Sequence, residues 1–67
     1  MEELIKTVEA LRARGRQKEA LELLFANLEK QTLPKGRILM LIGTVLTDMG
    51  ELERAIECFQ QAMDLLG

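Results

Sequence analysis

Histidine, serine, tyrosine and tryptophan are all missing from this 67-residue chain, and cysteine and proline occur once each. Those gaps remove most catalytic arrangements at once. With no imidazole there is no general base of the commonest kind, and with no serine or tyrosine the usual oxygen nucleophiles and proton donors are gone. Cys58 has no imidazole to activate it and lies mid-helix between Ile56 and Phe59, so it reads as a small buried hydrophobe rather than a nucleophile. A lone cysteine forms no internal disulfide, which fits a reducing compartment and gives cytoplasmic as the expected location. A metal site is not expected either. The carboxylates Asp48, Glu51, Glu53 and Glu57 do not follow the spacing of a calcium-binding loop and read as a solvated face. No enzyme activity and no cofactor are expected.

Charge of one sign is also scarce. Nine basic and eleven acidic residues give a net charge of −2, and the first 34 residues balance at six and six. The basic run Arg12, Arg14, Arg16, Lys18 is the one patch that suggests nucleic acid. It lacks interleaved aromatics and is surrounded by Glu9, Glu19 and Glu22, so it reads as a helix end and a solvated turn. The longest apolar run, Ile38 to Ile42, falls far short of the roughly 18 residues that suggest a membrane span. The acidic, amphipathic start MEELIKTVEA does not resemble a signal peptide.

What the chain does have is aliphatic mass. Apolar residues make up 48%, almost all Leu, Ile, Val, Ala and Met, with Phe25 and Phe59 the only aromatics. With a single proline this composition predicts an all-α fold. The first helix is expected over residues 1–14, with a stripe of Leu4, Ile5, Val8 and Leu11 that ends at Gly15. The second runs from 17 to about 31, with Ala20, Leu21, Leu24, Asn27 and Leu28 as its main stripe. Leu23 and Phe25 lie off that stripe. Thr32–Lys35 forms a break, since Pro34 cannot continue one helix but suits the start of the next. The third helix, about 35–49, is apolar nearly all round and so is expected at the centre or at an interface. Gly50 ends it, and the fourth helix follows over about 52–66.

A shift of 35 residues superimposes Leu4 on Leu39, Leu11 on Leu46, Gly15 on Gly50, Ala20 on Ala55 and Glu22 on Glu57. The matches fall at turns and seams, where a repeated helical hairpin requires them. In the second hairpin, small residues (Gly43, Ala55, Ala62) mark the helix crossing, and Leu39, Ile42, Leu46, Ile56 and Phe59 are expected to fill the seam between them. The prediction is two stacked antiparallel helical hairpins, unit one over 1–34 and unit two over 36–67.

On these residues the chain resembles the tetratricopeptide repeat family. Leu39, Ile42-Gly43, Leu46, Gly50, Ala55, Phe59 and Ala62 follow its pattern closely. Leu4, Val8, Leu11, Gly15, Ala20, Leu24 and Asn27, closed by Pro34, follow it with Val8 in place of Gly and Asn27 in place of Ala. The resemblance implies a concave face built by the first helix of each unit. Its positions would be Glu2, Ile5, Glu9, Arg12 and Ala13, then Arg37, Met40, Thr44, Thr47 and Asp48. Some members of the family clamp a peptide carboxylate with Lys and Asn. The matching places here hold Ile5 and Glu9, so that clamp is not expected.

The expected function is a non-enzymatic protein–protein interaction module that binds a partner peptide or helix and also self-associates. A purely structural homo-oligomeric unit is the alternative, and a nucleic-acid accessory domain the weaker one. No membrane partner is expected, because no helix has a strongly cationic polar face. Apolar residues exceed what two hairpins need. Ile38, Leu41, Val45, Met49 and Leu65 are the candidates for a two-fold dimer contact, so Val45→Glu is expected to dissociate it. Met63 is assigned to the core, while Met40 and Met49 fit either core or groove.

Overall fold

The computed structural model describes the backbone of residues 2–31 and 33–66 and the side chains of 3–31 and 33–65. Four helices follow one another: α1 (Glu2–Ala13), α2 (Gln17–Lys30), α3 (Lys35–Asp48) and α4 (Leu52–Leu66). All four expected helices form, and each boundary lies within a residue or so of the sequence reading. The fold is all-α, built from helical hairpins, with α2 between α1 and α3 and α4 packed on α3. The Cα radius of gyration of 11.0 Å shows that the hairpins fold back on each other rather than string out.

Two turns repeat the same chemistry. The N–H of Gly15 donates to the Arg12 carbonyl at 3.0 Å, and that of Arg16 to the Leu11 carbonyl at 2.8 Å. Thirty-five residues on, Gly50 donates to Thr47 at 3.0 Å and Glu51 to Leu46 at 2.9 Å. This paired closure satisfies orphan carbonyls at a helix end and needs a left-handed residue at its hinge. The glycines supply it, with φ of 74° at Gly15 and 80° at Gly50.

The link between the hairpins ends α2 differently. Gln31 itself turns left-handed, at φ 55°, and its N–H reaches the carbonyls of Asn27 and Leu28. Thr32 lies outside the described residues. Lys35, placed in the break by the sequence, is the first residue of α3, and Pro34 caps it. Leu33, which the sequence reading passed over, is buried in the core together with Ile38. These two are N′ and N4 of α3, the positions where apolar residues clasp a helix start and fix the entry angle of the chain.

The core holds Val8 of α1, Ala20, Leu21 and Leu24 of α2, Leu33, then Ile38, Ile42, Val45 and Leu46 of α3 and Ala55 of α4. The third helix is central, as expected. Its consequences for self-association were not as expected: Ile38 and Val45, assigned to a contact between copies, are both fully buried inside one chain. They cannot form that contact, because the chain's own core already encloses them. Leu41 is half-buried against the same core, as is Leu23. Two seam and core assignments on α4 are also corrected. Ile56 is 54% exposed and Met63 is 71% exposed. The seam itself is made by Ala55, Ala62 and Phe59, whose ring lies against Gly43. A Cβ at 43 would sit 2.7 Å from the ring.

Candidate interaction surface

Helices α1 and α3 are corresponding elements of the two hairpins, and side chains of both line two hollows, joined by Gln17 of α2 in one and Leu33 of the link in the other. The apolar one, about 220 Å³, is lined by Ile5, Leu33, Arg37, Met40, Leu41 and Thr44. The polar one, about 490 Å³, is lined by Glu9, Arg12, Ala13, Gln17 and Asp48. Most of the residues expected to face a groove are therefore brought together. Thr47 lines neither hollow, and its hydroxyl donates to the Gly43 carbonyl at 2.8 Å. The Glu2 side chain lies outside the described residues. Leu33 and Leu41 join the apolar hollow unannounced by the repeat, since Leu33 comes from the link between units.

In the polar hollow Arg12 and Asp48 are each other's partner. The guanidinium donates from Nε to one carboxylate oxygen of Asp48 and from Nη2 to the other, the latter at 3.1 Å. The fork-to-fork geometry fixes both side chains across the two hairpins. The hydrogen bonds to Arg12 hold the Asp48 carboxyl below its usual range despite an opposing push from burial, and the same bonds raise Arg12. The side chains of both remain about 30% exposed. Gln17 adds a long bond to the Arg12 carbonyl, at 3.4 Å.

The apolar hollow is less engaged. Met40 is 46% exposed, and the Thr44 hydroxyl donates back to the Met40 carbonyl at 2.9 Å. Among the described residues Arg37 has no ion-pair partner. It is thus a cation beside an apolar depression.

The basic run near the first turn is partly neutralised. Arg12 is held by Asp48, and Arg16 lies 3.8 Å from Glu19. Cys58 is half-buried with its thiol raised by desolvation, a state that disfavours the reactive thiolate. Among the described residues no group of carboxylates and cysteine is arranged to hold a metal ion. No helix there is long and apolar enough to cross a membrane.

No protein-family model matches the chain, and neither the curated proteins nor the solved structures contain a significant match.

Proposed function

We propose that the protein is a non-enzymatic interaction module of the tetratricopeptide-repeat type, taking a peptide or helix of a partner protein along the face of α1 and α3. The observation that supports this most is the apolar hollow with Arg37 at its edge. A ligand segment would seat one large aliphatic side chain over Ile5, Met40 and Leu41. An Asp or Glu next to that side chain would meet Arg37, a charge-assisted contact that adds orientation. The Arg12–Asp48 pair would act as a fixed floor rather than a recognition site, because each charge is already answered. The repeated glycine turns and the 35-residue register support the family resemblance. The lone free cysteine supports a reducing compartment such as the cytoplasm.

Selection of displayed peptides against the protein tests the reading. Binders should share an aliphatic residue beside an acidic one, and they should lose affinity on both Met40→Glu and Arg37→Glu. Failure to enrich any sequence, or binders indifferent to both substitutions, would refute it.

The second reading, an assembly unit whose partner is another copy of itself, is favoured by a separate observation: the exposed apolar residues gathered on α4. A nucleic-acid role is the weakest, with Arg12 and Arg16 engaged by carboxylates.

A further inference from the structure

Large apolar side chains in solvent are not spread evenly over this molecule. Phe25 stands alone on α2, Met40 and Met49 are separate on or beside α3, and Leu52, Ile56, Met63 and Leu65 are all on α4. Positions 52, 56, 59 and 63 follow i, i+4, i+7 and i+11 spacing and so form one continuous stripe. Leu52 and Ile56 are more than half exposed, Met63 more so, and Phe59 is half-buried.

The internal repeat shows what such a stripe is for. Thirty-five residues earlier, the positions of Ile56, Phe59 and Met63 are Leu21, Leu24 and Leu28 on α2. The first two are buried and the third is partly buried against the core. They are covered because α2 has a helix on either side, α1 and α3, whereas α4 packs chiefly on α3. The corresponding residues on α4 are exposed or only half-buried.

The rest of the surface limits what a second copy offers as that cover. In α3 the residues Ile38 and Val45 are buried in the core and Leu41 packs partly against it. Their counterparts on α1 are Glu3, Lys6 and Ala10, all exposed. Helix α1 therefore presents a polar outer face where α3 presents an apolar one, and it cannot cover another copy's α4. Head-to-tail stacking, which generates filaments, is disfavoured. Apart from the small hollow between α1 and α3, the helix face among the described residues that matches the α4 stripe in length and apolar spacing is the α4 stripe itself.

We propose that two copies associate through α4, antiparallel and about a two-fold axis near residues 57–58. That register sets Leu52 across from Met63 of the second copy and Ile56 across from Phe59, so the stripe is complementary to itself. The proposal rests on the self-association reading and is independent of the groove. A contact one helix long is smaller than the roughly 800 Å² per partner of a standard interface, so association at micromolar concentration is expected. Glu53, Glu57 and Asp64 lie beyond the stripe, so added salt should tighten the pairing by screening.

Sedimentation from about 5 to about 500 μM, with circular dichroism alongside, tests it, because mass action makes a dimer concentration-dependent. A species of twice 7.6 kDa is expected, with association weakened at least about tenfold by Ile56→Glu and unaffected by Met40→Glu. A helical monomer throughout the range would overturn both the self-association reading and this one. A dimer indifferent to Ile56→Glu, or one loosened by salt, would overturn only the α4 assignment. Species that keep growing with concentration would overturn the two-fold closure. Should Ile56→Glu lose its helicity, oxidation of Leu52→Cys/Met63→Cys in a Cys58→Ser background decides the matter. A covalent dimer is expected, and its absence overturns the register.

Discussion

Gly43→Ala should destabilise the protein although alanine is the better helix former. A Cβ at position 43 would lie 2.7 Å from Phe59 Cε1, 2.9 Å from Cζ and 3.0 Å from Cδ1. Carbon atoms rest at about 3.5–4.0 Å, so the ring must withdraw by roughly 1 Å along one whole edge. Phe59 is only half-buried and can swing outward, but it then loosens its hold on the α3–α4 seam. Overpacking of this kind costs about 1–3 kcal/mol, while the gain from replacing a mid-helix glycine with alanine is about 1 kcal/mol. The net loss should be about 1 kcal/mol, which in a domain this small lowers Tm by about 4–8 °C. The diagnostic is a change of sign. In a Phe59→Ala background, or Phe59→Leu if the first proves unfolded, the obstacle is smaller or gone and Gly43→Ala should stabilise by up to about 1 kcal/mol. Urea denaturation followed by circular dichroism, all variants at one protein concentration, measures the cycle. An alanine that stabilises the parent protein, or costs the same in both backgrounds, would refute the reasoning.

Gln31→Gly should raise stability by about 0.5–1 kcal/mol, since a side chain at φ 55° carries left-handed strain that glycine relieves; a loss on denaturation would contradict this. Val45→Glu should unfold the isolated chain rather than dissociate an oligomer, because it places an unpaired charge in a fully buried site; a helical monomer recovered from that variant would count against the described core. Asp48→Asn should cost no more than about 1 kcal/mol at neutral pH, because the pair is partly exposed. Arg12 depresses the Asp48 carboxyl, so its contribution is present above the unfolded-state value of about 4 and disappears as pH falls through the lower folded value. Melts of parent and variant should therefore differ at neutral pH and converge in strong acid, and a difference that persists there would refute the linkage.

Local chemistry is what the chain settled by itself. A helix ends in the same way wherever a glycine can turn left-handed and its own N–H and the next one can reach back, so Gly15 and Gly50 marked their turns without any knowledge of neighbours. Amphipathic stripes placed Val8, Ala20, Leu21, Leu24, Leu46, Ala55 and Ala62 inside, and the family resemblance pointed to Ile5, Arg37, Met40 and Thr44, which lie around one hollow.

Tertiary packing decided the rest, because periodicity shows that a face is apolar but not what lies against it. Helix α3 is apolar almost all round and carries no periodic signal for which side meets α2. Ile38 and Val45 therefore read as spare in the sequence, yet both are buried in the chain's own core. Ile56 and Met63 lie on a stripe that is identical in pattern to the covered one on α2, but α4 packs chiefly on α3 and they stay in solvent. Leu33 belongs to no helix, so no stripe included it, yet the link folds it into the core. Arg12 and Asp48 are 36 residues apart and meet because the two hairpins fold back on each other, a proximity that no local pattern encodes.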